Sequence, residues 1–238
     1  MSEPYDSDNW LDRLSDPATL DLQYRHVQSR ERELLARWLP LDSGDVLSVG
    51  AGWHAGRHLF PSPAYRLTAV ELNADMVSYA TESGQADAAV VARAGELPFE
   101  PGSFDVVLYR LVLHHVAYQQ PLGPVLAEAA RLLRPGGWLV AVEPGLFHPL
   151  GLALAAANRL HLAKRIHGTV DDIPLSPLML RREARRAGLA PTIHAVTFAW
   201  RRLPRLLQRA IYPTDRLGSL PVLRDFGHHL MLLAGRAS

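Results

Sequence analysis

The stretch Asp45-Val46-Leu47-Ser48-Val49-Gly50-Ala51-Gly52-Trp53-His54-Ala55-Gly56 decides how the rest of this chain is read. Asp45 to Val49 is a short apolar run of strand length that stops abruptly at Gly50. Glycine lets the backbone turn sharply and come close to a ligand, and a helix starting beyond such a turn offers free N–H groups and positive potential. A second strand, Arg66 to Glu71, ends on a carboxylate 21 residues after Gly50. That spacing is the one at which an acid meets ribose hydroxyls in dinucleotide-binding folds.

Outward from this core the periods alternate. Leu20 to Leu39 reads as a helix with Leu34, Leu35 and Leu39 facing a core, and Pro40 ends it. After the second strand come a helix, Ala74 to Tyr79, and a third strand, Ala88 to Ala92. A loop, Arg93 to Ser103, carries Pro98, Pro101 and Gly102 and leads to a fourth strand, Phe104 to Tyr109. The helix Leu122 to Leu133 is stopped by Pro135, Gly136 and Gly137, and Trp138 to Glu143 is the fifth strand. Such alternation of helices with near-continuous apolar strands predicts a doubly wound parallel α/β sheet with helices on both faces, whose ligands bind beyond the carboxyl ends of the strands. Past Pro144 the pattern predicts helices through Leu152 to Ala163 and Leu178 to Ala187, then strands over Pro191 to Phe198 and His228 to Ala234. An arginine-rich, proline-punctuated insert separates those last two strands. The expected division is a helical cap over 1–40, a core over 41–198, the insert over 199–227 and a closing strand over 228–238.

Composition bounds the function. The 238 residues are 48% hydrophobic and 21% charged, ordinary for one soluble domain. Without cysteine there is no disulfide, thiolate zinc site or cysteine nucleophile, and the default compartment is the cytoplasm. The acidic start, Met1 to Trp10, lacks the pattern of a signal peptide, and the apolar stretch Leu150 to Ala157 is too short to be a transmembrane segment. A formal net charge of +1 gives no general drive toward nucleic acid. Its distribution is uneven: Arg181, Arg182, Arg185, Arg186, Arg201, Arg202, Arg205 and Arg209 crowd the late part, while Asp6, Asp8, Asp12, Asp16 and Asp21 crowd the start. These arginines are read first as solvated helix faces or partners of the acidic start, and second as a site for an anionic substrate or a membrane surface. No ligand cluster at metal spacing is present, since the neighbours His114 and His115 make a poor chelate.

Four segments, in order, carry a resemblance: Val46 to Gly52; Glu96-Leu97-Pro98-Phe99 running into Ser103-Phe104-Asp105-Val106-Val107; Leu113-His114-His115-Val116; and Leu133-Arg134-Pro135-Gly136-Gly137. With this spacing the chain resembles the class I S-adenosylmethionine-dependent methyltransferases, in particular the small-molecule enzymes related to the ubiquinone and menaquinone methyltransferases. The resemblance implies a Rossmann-like, mostly parallel seven-stranded sheet with an antiparallel last strand, S-adenosylmethionine as cofactor and S-adenosylhomocysteine as product. It further implies that Gly50, Ala51 and Gly52 lie under the methionine part, that Glu71 holds both ribose hydroxyls, and that Leu72 packs on the adenine with Ala94 and Gly95 beside it. Arg110 would offer its backbone carbonyl to the methionine amine, and His115 would stand between cofactor and substrate. The chain departs from the family pattern at Ser48 and Arg93, where acids are usual, and in Trp53-His54-Ala55, which lengthens the glycine loop.

Two rival functions fit parts of the sequence. Gly50-x-Gly52-x-x-Ala55 also matches the fingerprint of a nicotinamide-dependent oxidoreductase. Ser48 and Arg93 suit a methyltransferase-like fold that rearranges its ligand or only binds it. The segment Tyr109-Arg110-Leu111-Val112 lacks the motif that grips a flipped base, so a small-molecule acceptor is expected rather than nucleic acid. A base for that acceptor is sought among histidines. His148, after the fifth strand, is the first choice, with His115 next and His54 third. Met1 to His26 and the segment Trp200 to Leu220, with Tyr5, Trp10, Tyr24, Trp200 and Tyr212, are expected to cover the active site, the alternative being ordinary packing or a homodimer contact.

Overall fold

The computed structural model describes residues 17–160 and 173–237. Seven strands, β1 (Gly44–Val49), β2 (Tyr65–Glu71), β3 (Ala88–Val91), β4 (Phe104–Arg110), β5 (Leu133–Pro144), β6 (Leu189–Thr197) and β7 (His229–Arg236), form one sheet in the order β3-β2-β1-β4-β5-β7-β6. Neighbours from β3 to β5 are parallel, whereas β7 runs antiparallel to both β5 and β6. The last strand of the chain thus lies inside the sheet and fastens β6 to β5. The helices among the described residues are α1 (Pro17–Trp38), α2 (Ala74–Glu82), α3 (Leu113–Gln119), α4 (Leu122–Leu132), α5 (Pro149–Arg159), α6 (Pro177–Arg186) and α7 (Arg205–Ile211), the last followed by a 3-10 turn, Tyr212–Leu217.

Both faces of the sheet are buried because its central strands are apolar at successive positions. Leu47, Val107, Tyr109, Leu139 and Ala141 point to one core, packed with Leu126 of α4 and Leu180 of α6. Val46, Val106, Leu108, Val140 and Val142 point to the other, packed with Leu34 of α1 and Phe60. This period-two division of continuously apolar strands is what a doubly wound sheet requires.

Several boundaries differ from expectation by one to three residues, such as α1 starting at Pro17 and α2 ending at Glu82, and some differences are larger. β5 begins at Leu133, ahead of Pro135-Gly136-Gly137, and those residues occupy the register shift between the pairs Phe104↔Leu133 and Val106↔Trp138. Helix α3 lies where no helix was expected. Helix α5 runs from Pro149 to Arg159 with its C-cap at Leu160, where Leu152 to Ala163 was expected; residues 161–163 lie outside the described residues.

The insert is bound to α1. The Asp215 carboxylate is fully buried and accepts from His26 Nε2 (2.7 Å) and from Phe198 N–H (2.7 Å). Arg30 Nη2 donates to the Asp215 carbonyl at 2.8 Å, Gln23 Nε2 donates to the Ala199 carbonyl at 3.1 Å, and the Tyr212 ring stacks on His26 at 3.6 Å. The expected pairing of the late arginines with the acidic start concerns Asp6 to Asp16, outside the described residues. Asp21 pairs with Arg25, Arg181 with Asp225, and Arg182 and Arg186 with Glu183.

Candidate active site

The order of connection reverses between β1 and β4, and a cavity of about 650 Å³ opens there at the carboxyl ends of the strands. Gly50 turns the chain out of β1 with φ +67°, and a Cβ at that position would stand 2.6 Å from Val112 Cγ2. Both facts require glycine. Its N–H and that of Ala51 donate to the Val70 carbonyl at 2.8 and 3.1 Å, which pins the glycine loop to the end of β2. Glu71, at that end, accepts from Gly52 N–H at 2.9 Å through Oε2 and from Leu72 N–H at 2.7 Å through Oε1. Each oxygen keeps a further acceptor site for a ligand hydroxyl.

Gly50, Glu71, Leu72, Ala94, Gly95 and His115, six residues singled out in the sequence, all line this cavity. Ala51 and Gly52 are not among its lining residues and bear on it through the bonds just given. Of the departures, Ser48 is buried at 2% exposure within β1, between Ala69 and Leu108 of the flanking strands, and Arg93 is exposed on the cavity wall. The lengthened glycine loop is used in packing: Ala55 is buried, and Trp53 meets Tyr79 of α2 edge to face with ring centroids 5.0 Å apart.

A second cavity, of about 510 Å³, adjoins the first, and the two share Leu111 and His115 in their walls. Leu111 has φ +59°, a conformation strained for a side chain of this kind, at the junction itself. The walls of the second cavity are chiefly apolar, with Val27 of α1, Leu150, Leu154 and Ala157 of α5, and Trp200. At the sheet end stand Arg110, His114, His228 and His229. α1 also contributes Gln23 and Tyr24, and the insert contributes Arg201 and Arg202, so both segments expected to cover the site reach it. Tyr5 and Trp10 lie outside the described residues.

Two carboxylates that sequence alone did not single out organise this junction. Glu143, 1% exposed at the end of β5, accepts from the N–H groups of Val112 (3.0 Å) and Leu113 (2.8 Å) through Oε1. Its Oε2 accepts from His114 Nδ1 at 2.7 Å and lies 3.3 Å from His114 N. Val112 gives α3 no side-chain cap, so Glu143 satisfies the start of that helix from another strand. Glu31 of α1 is fully buried and accepts from Arg110 Nε, 3.2 Å from both of its oxygens, and from His58 Nε2 at 3.1 Å. Burial opposes the charge of Glu31, but Arg110 and His58 outweigh it and hold the carboxyl below its usual range. Only a signal at the carboxyl end of the fifth strand could have pointed to Glu143. Nothing local marks Glu31, whose role depends on α1 folding across the sheet.

Arg110 is therefore placed with its side chain on Glu31 and in the wall of the second cavity. His148 lines neither cavity. It caps α5, its Nδ1 accepting from Leu150 N–H at 3.3 Å and its Nε2 donating to the Phe198 carbonyl at 3.2 Å. Those partners occupy both nitrogens, and burial lowers its pKa against the opposing pull of the Phe198 carbonyl. The structure does not bring His148 to the position expected of a base. His228 and His229 reach the cavity instead. Burial pushes both down, His229 to about 4 with Arg110 and Arg201 adding to the effect, so both rings are neutral near pH 7. Nδ1 of His229 is enclosed and has no hydrogen-bond partner among the described residues.

Comparison with known proteins agrees with this architecture. A family described as "Methyltransferase domain" matches residues 47–141. A protein of transposon TN4556 from Streptomyces fradiae, described as uncharacterized, is 34% identical over 82% of this chain, which spans 56% of that protein. The ubiquinone biosynthesis O-methyltransferase of Thiobacillus denitrificans is 30% identical over 66% of this chain and 70% of its own length. Among solved structures, a SAM-dependent methyltransferase from Thermotoga maritima superposes with TM-score 0.62 at 17% identity, covering 90% of this chain and 91% of its own.

Proposed function

Since the chain belongs to the class I S-adenosylmethionine-dependent methyltransferases, we propose that it transfers the methyl group of S-adenosylmethionine to a small-molecule acceptor. The observation that carries this is the meeting of two cavities at Leu111 and His115. The first suits the cofactor: Glu71 offers two oxygens to ribose hydroxyls, and the glycine loop allows close approach of the backbone. The second, with apolar walls, suits the acceptor.

When bound, the cofactor supplies an activated sulfonium methyl, which an oxygen, nitrogen or carbanion of the acceptor can attack in line. What this chain adds is alignment and exclusion of water. His115 and Leu111 form the threshold that the methyl would cross. Val27, Leu150 and Leu154 shield the acceptor, and the neutral His228 and His229 can hydrogen bond to its polar group. Match to the dinucleotide fingerprint at Gly50, Gly52 and Ala55 does not assign a nicotinamide cofactor, because the downstream segments belong to the methyltransferase family.

Calorimetric titration with S-adenosylhomocysteine tests the assignment. Binding should occur with the wild type and weaken at least about tenfold in Glu71→Ala, since charge-assisted bonds to the ribose are lost. Equal affinity in a folded Glu71→Ala protein would contradict the placement. Binding without transfer to any acceptor would favour the rival in which the fold no longer methylates.

A further inference from the structure

The insert between β6 and β7 presents a surface that the methyl-transfer reading does not use. Leu206 is 80% exposed and Val222 73%, and Leu207, Leu217, Leu220 and Phe226 are also exposed. Among them stand Arg205, Arg209 and Arg216, exposed and without an ion pair among the described residues. The two acids of this segment are both consumed: Asp215 is buried against His26, and Asp225 takes two hydrogen bonds from Arg181. No other carboxylate within the insert offsets the arginines.

The exposed side chains stand on a held framework. Helix α7 turns Gln208 inward, where it is fully buried and donates to the Arg201 and Leu203 carbonyls at 2.9 Å each. Arg205, Leu206, Leu207 and Arg209 are thereby left outward. Six large exposed apolar side chains in one short segment are costly in water, and single-signed charge beside them narrows what can cover them.

We infer that this insert docks on the surface of a membrane containing anionic lipid, its leucines, Val222 and Phe226 entering the hydrocarbon boundary while Arg205, Arg209 and Arg216 meet lipid phosphates. Charge complementarity commits the surface to an anionic occupant, and the interleaved aliphatic side chains commit it to one with hydrocarbon to offer. A nucleic acid supplies the phosphates but no place for Leu206 or Val222. A second copy of this chain would set the arginines against one another. No helix among the described residues is long and apolar enough to cross a membrane, so the contact is one of lying on the surface. Trp200, Arg201 and Arg202 begin the same insert and line the second cavity, which places that cavity beside the docked surface. The inference stands whether or not the methyl-transfer reading does.

Sedimentation of the full chain with vesicles of phosphatidylcholine, with and without phosphatidylglycerol, tests it. The wild type should pellet with the mixed vesicles and not with phosphatidylcholine alone, and salt should weaken the binding. Arg205→Gln/Arg209→Gln should lower partitioning by about 30-fold, about fivefold for each basic residue removed. Leu206→Ser/Leu207→Ser should lower it at least about tenfold. Both variants change only exposed side chains and should melt like the wild type; should the serine variant fail to fold, the glutamine variant decides alone. A wild type that stays in the supernatant with anionic vesicles overturns the inference. So does vesicle binding that survives both variants, or binding to a single-stranded oligonucleotide that needs the arginines but not the leucines. A dimer that the serine variant dissolves, with no vesicle binding, would assign the surface to a second copy instead.

Discussion

Replacing Glu143 should loosen the junction of the two cavities more than any change to a residue that lines them. Its carboxylate accepts from Val112 N–H, Leu113 N–H and His114 Nδ1 at 3.0, 2.8 and 2.7 Å, in a site where the side chain is 1% exposed. In Glu143→Ala these donors lose their acceptor with little access to water. An unsatisfied buried donor costs about 1–3 kcal/mol, so the sum, reduced by relaxation, is about 3–5 kcal/mol. That is a large share of a typical folding stability of about 5–15 kcal/mol. Glu143→Gln is milder: its oxygen can still serve Val112 and Leu113, while its NH₂ faces His114, and a loss of about 1–2 kcal/mol is expected. Urea denaturation measures both. Leu111, Val112 and His115 line the first cavity, so S-adenosylhomocysteine affinity should fall in the glutamine variant as well. If Glu143→Ala loses less than about 1 kcal/mol and binds the ligand normally, Glu143 does not organise this helix start.

Two further outcomes follow from the histidines. His194 and His229 are both held at about 4 against a usual value of 6.5, so between those values the unfolded chain takes up protons that the folded chain does not. Stability is full above pH 6.5 and falls as pH drops through this window, by up to about 1.4 kcal/mol per pH unit for each histidine, which urea midpoints across the range should show and which a flat profile would refute. His148→Ala should cost about 1 kcal/mol through the lost cap of α5 and leave turnover within a few-fold of wild type; a fall of about a hundredfold with unchanged stability would restore it as a base.

The order β1 to β5 is legible in the sequence because each of those strands holds a short, mostly apolar run set apart by punctuation such as Gly50 after β1 and Pro135-Gly136-Gly137 after α4. Helix α3 is not, since Val112 supplies no cap and the acceptor that holds the helix start is Glu143, 30 residues from Leu113. The cofactor cavity is legible for a similar reason: Gly50, Glu71 and Ala94 sit at strand ends, where a doubly wound sheet places ligands. The acceptor cavity draws on α1, α5, Trp200 and His229, which lie far apart in the chain and share no local signal. Position after the fifth strand suggested His148, but the ring's capping bonds depend on α5 beginning at Pro149 and on Phe198 approaching from β6. Glu31 and Asp215 are buried charges that only tertiary structure pairs, with Arg110 and His58 in one case and His26 in the other.

The most direct test of the two-cavity account is a crystal structure of the chain with S-adenosylhomocysteine. The ribose hydroxyls should lie on Glu71, the adenine beside Leu72, Ala94 and Gly95, and the thioether sulfur at Leu111 and His115, facing the cavity walled by Leu150, Leu154 and His229. A ligand seated elsewhere, or a sulfur turned away from that threshold, would contradict the account.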